Sequence, residues 1–180
     1  MRRAVLGFFR TWIKRVCGIP AEQNNATSEI QMATPPNPDP ASVPYWQRIN
    51  LSEGLQYSDR PGFLDELTPA EFEQILPLAI RSFNGHVPRV AEYRHIKLSS
   101  GLSTEVAIRM LSFHMYSVHH LQDWNSTGVV EEVEIRSATG ACNFCRQYRS
   151  GPYLIDESPE VPLRGCTHKM GCRCTLLPKI

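Results

Sequence analysis

Five cysteines fall between positions 142 and 174 in an order that suits a thiolate metal site. Cys142-Asn143-Phe144-Cys145 comes first. After Arg146–Gly165 the chain reads Cys166-Thr167-His168-Lys169-Met170-Gly171-Cys172-Arg173-Cys174. Zn²⁺ takes four tetrahedral ligands and favours thiolate and imidazole. A CxxC turn brings two sulfurs to one side, and a second cluster about twenty residues later supplies the rest. Six groups compete for the four places: Cys142, Cys145, Cys166, His168, Cys172 and Cys174. We assign the second pair to Cys166 and Cys172. In an extended segment Cys172 and Cys174 would hold their sulfurs roughly 6–7 Å apart, too far for one ion unless the chain turns there. Cys174 therefore stands as an alternate ligand, as does His168.

Four protein ligands close a zinc site and make it structural, whereas a hydrolytic zinc keeps an open position. The chain has no His-Glu-x-x-His or His-x-Glu pattern. The expectation is a structural ion, and no catalytic residue or further cofactor is assigned. Between the knuckles lie Gly151, Pro152, Pro159 and Pro162, so the segment has little core of its own and gains order from closure by the metal. Zinc binding in small modules is worth on the order of 10–16 kcal/mol, comparable with the whole stability of a typical domain.

The elements that must present these thiols can be read upstream. Val130–Ala138 is expected to be a strand. Val133 and Ile135 alternate with Glu132, Glu134 and Arg136, and such alternation marks a half-buried strand. It leads through Thr139-Gly140 into Cys142. A helix is expected from about Ser103 to Trp124, with Val106, Met110, Phe113, Leu121 and Trp124 on one side, widened by Leu111 and Val118. His114 falls inside that apolar arc and is expected to be a core histidine with a satisfied nitrogen. His119 reaches Asp123 at i,i+4. An earlier helix starts at Thr68-Pro69-Ala70-Glu71, a capping box with Pro at N1, with Leu67 and Phe72 placed as a hydrophobic staple. Pro77 lies inside its pattern, so a kink or restart is expected there, and Asn84-Gly85 ends it. Tyr93–Leu98 is expected to be a short strand.

Four segments follow: a basic amphipathic helix over residues 1–20, a Pro-rich disordered linker over 21–44, a mainly helical body over 45–128, and a strand with the CxxC…C/H…CRC zinc module over 129–180. In the first, Val5, Phe8, Phe9, Trp12, Ile13 and Val16 form one stripe opposite Arg3, Arg10 and Lys14. Such a helix suits peripheral contact with a membrane through residues 1–17, or docking on protein. The linker holds Pro35, Pro36, Pro38, Pro40 and Pro44 and cannot bury enough apolar surface to order itself. The fold class is α+β: a small helical body followed by a short β-strand and a zinc-stapled C-terminal module.

At 180 residues, 42% apolar, 21% charged and net charge +1, the chain is neither wholly disordered nor a strongly charged nucleic-acid mimic. No apolar run approaches the roughly 20 residues of a membrane span. Arg10, Lys14 and Arg15 interrupt any signal-peptide core. Reduced, metal-bound thiols in a cytoplasmic protein, peripheral to a membrane through its first helix and not secreted, are therefore expected over three disulfides.

The tail resembles the C-terminal zinc-type motif of phage Mu-type head-morphogenesis (minor head) proteins. The matching features are Val133-Glu134-Ile135-Arg136-Ser137-Ala138, the knuckle Cys142-Asn143-Phe144-Cys145-Arg146, the stretch Asp156-Glu157-Ser158-Pro159 with Pro162-Leu163, and Gly171-Cys172-Arg173-Cys174-Thr175-Leu176-Leu177-Pro178. In that family a histidine or cysteine precedes the final Cys-Arg-Cys, a part taken here by Cys166 and His168. The resemblance covers residues 129–180. It implies a metal module built on Cys142, Cys145, Cys166 and Cys172.

Function is then expected to be a non-enzymatic zinc-binding interaction or assembly protein, resembling head-morphogenesis proteins, with an unidentified protein partner. One alternative is a nucleic-acid-binding zinc module that contacts phosphate and bases through Arg146, Arg149 and Arg173. The other is a metal-dependent hydrolase or toxin-like effector, which requires His114, His119 or His120 to be brought to the metal.

Overall fold

A 24-residue helix, α4 (Thr104–Thr127), forms the centre of the fold. The computed structural model describes residues 42–148 and 151–180. The expected basic helix, nearly all of the expected linker, and Arg149 lie outside the described residues. Helix α4 buries far more than one stripe: Val106, Ala107, Ile108, Met110, Leu111, His114, Met115, Val118 and Leu121 are all buried. A helix that is apolar on most sides must be covered on most sides. Helix α2 (Pro69–Phe83) packs along it, bringing Phe72, Ile75 and Ala79 into the shared core. The short α1 (Tyr45–Arg48) crosses it. There the Gln122 side-chain amide of α4 donates to the carbonyls of Trp46 and Ile49, at 2.9 and 2.8 Å. These are carbonyls at the end of α1, which its single turn leaves without helical partners.

The start of α2 follows its local chemistry. The Thr68 hydroxyl accepts from the Glu71 N–H, and the Glu71 carboxylate accepts from the Thr68 N–H at 2.8 Å. Its second oxygen takes the Ser99 N–H. These donors, Thr68 first and Ser99 next, hold the Glu71 carboxyl down at about 2. Helix α2 continues through Pro77 without a restart, one of the two outcomes expected there. The ring lies on the exposed face beside exposed Glu73, where a helix carbonyl deprived of its donor is open to solvation. At its end, α4 runs three residues beyond the expected Trp124. The Ser126 and Thr127 hydroxyls donate back to the carbonyls of Asp123 and Trp124, and Gly128 closes the helix in the left-handed conformation at φ +63°.

The stretch expected as a strand over Tyr93–Leu98 begins instead in a one-turn helix, α3 (Val90–Tyr93). Ile96 and Leu98 are both buried, so the alternation is present. No strand among the described residues runs beside it, and without a partner the segment stays irregular.

The expected strand near Val133 forms as β1 (Glu132–Arg136), with Val133 and Ile135 inward. It is the middle of a three-stranded antiparallel sheet in the order β2-β1-β3. Strands β2 (Pro152–Leu154) and β3 (Thr175–Lys179) flank it, and a one-turn helix, α5 (Asn143–Gln147), follows β1. The architecture is thus α+β with a C-terminal cysteine cluster. No helix among the described residues is long and apolar enough to cross a membrane.

The sheet and its loops are fastened to the helices at several points. Trp46 Nε1 donates to the Ile155 carbonyl, the Gly62 N–H donates to Glu160 at 2.7 Å, and Arg109 of α4 donates to the Met170 carbonyl. The C-terminal module therefore rests on the helical body.

Candidate metal centre

The first knuckle is the start of α5. Cys142 is its N-cap and Cys145 its third residue. In a capping box these two positions face each other, and here thiols replace the hydroxyl and carboxyl. The Arg146 N–H donates to the Cys142 carbonyl at 3.1 Å, which closes the turn.

The second knuckle is shaped by two glycines. Gly171 adopts φ +78°, and its N–H donates to the His168 carbonyl at 2.8 Å. A Cβ at Gly171 would stand 2.7 Å from Met110 Sδ and 3.0 Å from Val106, so the knuckle lies hard against α4. A Cβ at Gly165 would collide with the Phe144 ring. The first knuckle thus packs on the backbone that enters the second.

Sheet register places the last cysteine. Arg136 pairs with Thr175 in the β1–β3 ladder. One step further along each strand lie Ser137 and Cys174, and Ser137 Oγ is 3.6 Å from Cys174 Sγ. The same hydroxyl donates to the Cys145 carbonyl at 2.8 Å. Ser137 thus touches both knuckles, a part that the sequence reading did not give it.

The five thiols gather into two groups of three. Cys142, Cys145 and Cys166 have sulfurs within 4.8 Å of one another, and so do Cys145, Cys172 and Cys174. Cys145 belongs to both. All five are free thiols, with Cys145, Cys172 and Cys174 buried. Cys142 and Cys166 Sγ lie 3.8 Å apart, and Cys145 and Cys172 Sγ 3.9 Å. With Zn–S bonds near 2.3 Å, the edge of a sulfur tetrahedron is about 3.8 Å. The cysteines are close enough to hold a metal ion. Cys172 and Cys174 lie closer than two extended residues require. His168 belongs to neither group; its Nδ1 accepts the Met170 N–H at 3.1 Å.

The thiols differ in readiness to ionise. Burial works against ionisation of Cys142, but hydrogen bonds from Cys145 and Thr167 prevail and bring it down to about 6. The Cys174 thiol brings Cys172 to about 6 despite burial, aided by the Cys174 and Leu163 N–H groups; the Leu163 N–H lies 3.4 Å from the Cys172 sulfur. Burial raises Cys166 to about 11. It also pushes Cys145 up, together with the thiols of Cys166 and Cys142. The neighbouring Cys172 and then burial raise Cys174. So crowded a set cannot ionise fully by itself, and a cation that replaces the protons resolves the repulsion.

The histidines of α4 are placed otherwise. His114 is fully buried, with Nδ1 3.3 Å from the Val161 carbonyl and its ring stacked on Tyr45. It is a core histidine with a bonded nitrogen, as expected. His119 pairs with Asp123 at 3.5 Å. His120 stacks on Trp124 and shares with Cys174 the wall of a cavity of about 240 Å³. A second cavity, about 360 Å³, adjoins Cys166 and is lined by Glu66 and Arg164 among others. The first has a histidine without a carboxylate, the second a carboxylate without a histidine. Neither group of three thiols includes either type. Arg146 and Arg173 are exposed at the knuckles, and their guanidinium groups donate to Asn143 Oδ1 and to the Thr139 carbonyl.

No protein-family model, curated protein or solved structure matches the chain.

Proposed function

We propose that the protein is a non-enzymatic interaction or assembly protein whose C-terminal module is fixed by one Zn²⁺ on Cys142, Cys145, Cys166 and Cys172. The observation that carries this reading is the pair of sulfur separations, 3.8 and 3.9 Å, each at the edge length of a zinc tetrahedron. The two groups of three do not merge into one group of four, so zinc binding draws the Cys142–Cys166 and Cys145–Cys172 pairs together. Cys174 then stays a thiol, held beside Cys172 by Ser137. Four thiolates leave no open position for a substrate, and the ion's work is to hold two short knuckles on a small sheet.

The rigid module would present a docking face to a protein partner. Leu154, Val129 and Met170 are exposed apolar side chains on or beside it, at 53%, 63% and 42%. An assembly role like that of phage head-morphogenesis proteins is part of this proposal and rests on the cysteine pattern of residues 129–180 alone.

The test is zinc content by native mass spectrometry, with Cys145→Ser alongside. One zinc per chain, lost in the variant together with amide-exchange protection over residues 140–180, supports the reading. An ion that persists in Cys145→Ser, or a metal-free chain whose tail is equally protected, overturns it.

A further inference from the structure

A tetrahedral ion uses four sulfurs, and this site has five. As they stand, they form two triangles that share Cys145. One edge of each triangle is short: Cys142–Cys166 at 3.8 Å in the first and Cys145–Cys172 at 3.9 Å in the second. An ion at the centre of three sulfurs, with bonds of about 2.3 Å, requires edges of roughly 4.0 Å. In each triangle one edge is thus close to the trigonal length, and the other two lie within 4.8 Å, within reach of a small contraction. Soft monovalent ions of the Cu(I) class prefer such sulfur sites.

We propose that the five thiols form a second metal-loading state: two Cu(I) ions, one in Cys142–Cys145–Cys166 and one in Cys145–Cys172–Cys174, with the Cys145 thiolate bridging them. The inference rests on the reading of the cluster as a metal centre, but not on zinc being its resident ion. Loading a metal-free site leaves all five sulfurs as thiolates, releases whichever thiol protons are still bound, and changes no oxidation state. Starting from the zinc form, two Cu(I) ions displace one Zn²⁺ and the Cys174 proton.

Three features fit this state. Cys145 belongs to both triangles and sits on α5, a hydrogen-bonded helical turn. Cys174 is 2% exposed and Cys172 is 1%, so the sulfurs of the second triangle are largely withdrawn from solvent. Ser137 Oγ, 3.6 Å from Cys174 Sγ, donates to the Cys145 carbonyl and leaves its own oxygen free to accept. That hydroxyl therefore holds Cys174 beside Cys145, within the second triangle.

The experiment uses the full chain in a Cys17→Ser background, since Cys17 could otherwise supply a sixth thiol. The protein is titrated anaerobically with Cu(I) in acetonitrile against a chelating competitor and followed by native mass spectrometry. A zinc indicator reports displaced zinc. Two Cu(I) per chain, with release of one zinc, is the expected result. Cys174→Ser should bind one Cu(I) and still bind one zinc, which shows that the variant is folded. One Cu(I) in the parent, or two in Cys174→Ser, overturns the proposal. Failure of zinc binding with two Cu(I) retained would sink the zinc reading alone.

Discussion

Acid should destabilise this fold through His114 in a way that a single substitution can isolate. Burial is the main cause that moves its imidazole from the ordinary 6.5 down to about 4, against the opposing carbonyls of Val161 and Asp59. Tyr45 stacks on the ring at 6.0 Å between centroids, and the Asp59 charge also favours the protonated ring. A base depressed in the folded state leaves the unfolded chain holding more protons below pH 6.5. Stability is therefore intact above 6.5 and falls as pH drops toward 4. The full difference amounts to roughly 3 kcal/mol, and between pH 7.5 and pH 4.5 it is about 2.5 kcal/mol. His114→Leu removes the titration. It also deprives the buried Val161 carbonyl of its donor, a cost of about 1–3 kcal/mol that does not vary with pH. Urea unfolding followed by tryptophan fluorescence, at pH 7.5 and 4.5, gives the comparison. Both proteins carry the same cysteines, so acid release of metal cancels in the difference. The variant should be less stable at pH 7.5 and should lose about 2.5 kcal/mol less than the parent on acidification. Parallel losses in the two proteins would refute the argument.

Gly171→Val places a β-branched side chain at φ +78° against Met110 and Val106; it should cost at least about 1–3 kcal/mol and expose the tail to limited proteolysis before the helices. Thr68→Ala removes the α2 cap and should lower stability by about 1 kcal/mol, read as a shift in the urea midpoint. Ser137→Ala leaves every thiol in place but removes the hydroxyl beside Cys174 and the Cys145 carbonyl. Zinc affinity, measured by chelator competition, should fall on the order of tenfold, with unchanged affinity as the contrary result.

What could be read ahead of the structure was local chemistry. The capping box at Thr68–Glu71 needs only four residues, and the alternation around Val133 and Ile135 needs only one strand. The α+β class and the helices around Thr68 and Ser103 follow from such signals. Features set by distant partners were hidden. Strand β3 is Thr-Leu-Leu-Pro-Lys, with no alternation, and exists because β1 lies beside it. The same pairing puts Cys174 opposite Ser137. Ile96 and Leu98 alternate but form no strand for want of a neighbour. Pro77 is tolerated because its face of α2 meets water. The cysteine spacing announced a thiol cluster, yet the division into two triangles about Cys145 depends on Gly171 against Met110 and Gly165 against Phe144, contacts that spacing does not encode.

The central claim is that one ion on four thiolates orders the C-terminal module. The direct measurement is native mass spectrometry of the purified chain before and after chelation, paired with amide exchange over residues 140–180. One zinc per chain is expected, and its removal should abolish protection in that segment while α2 and α4 keep theirs. A chain without metal whose cysteines prove oxidised in pairs, or a module that stays protected after the zinc is stripped, would contradict it.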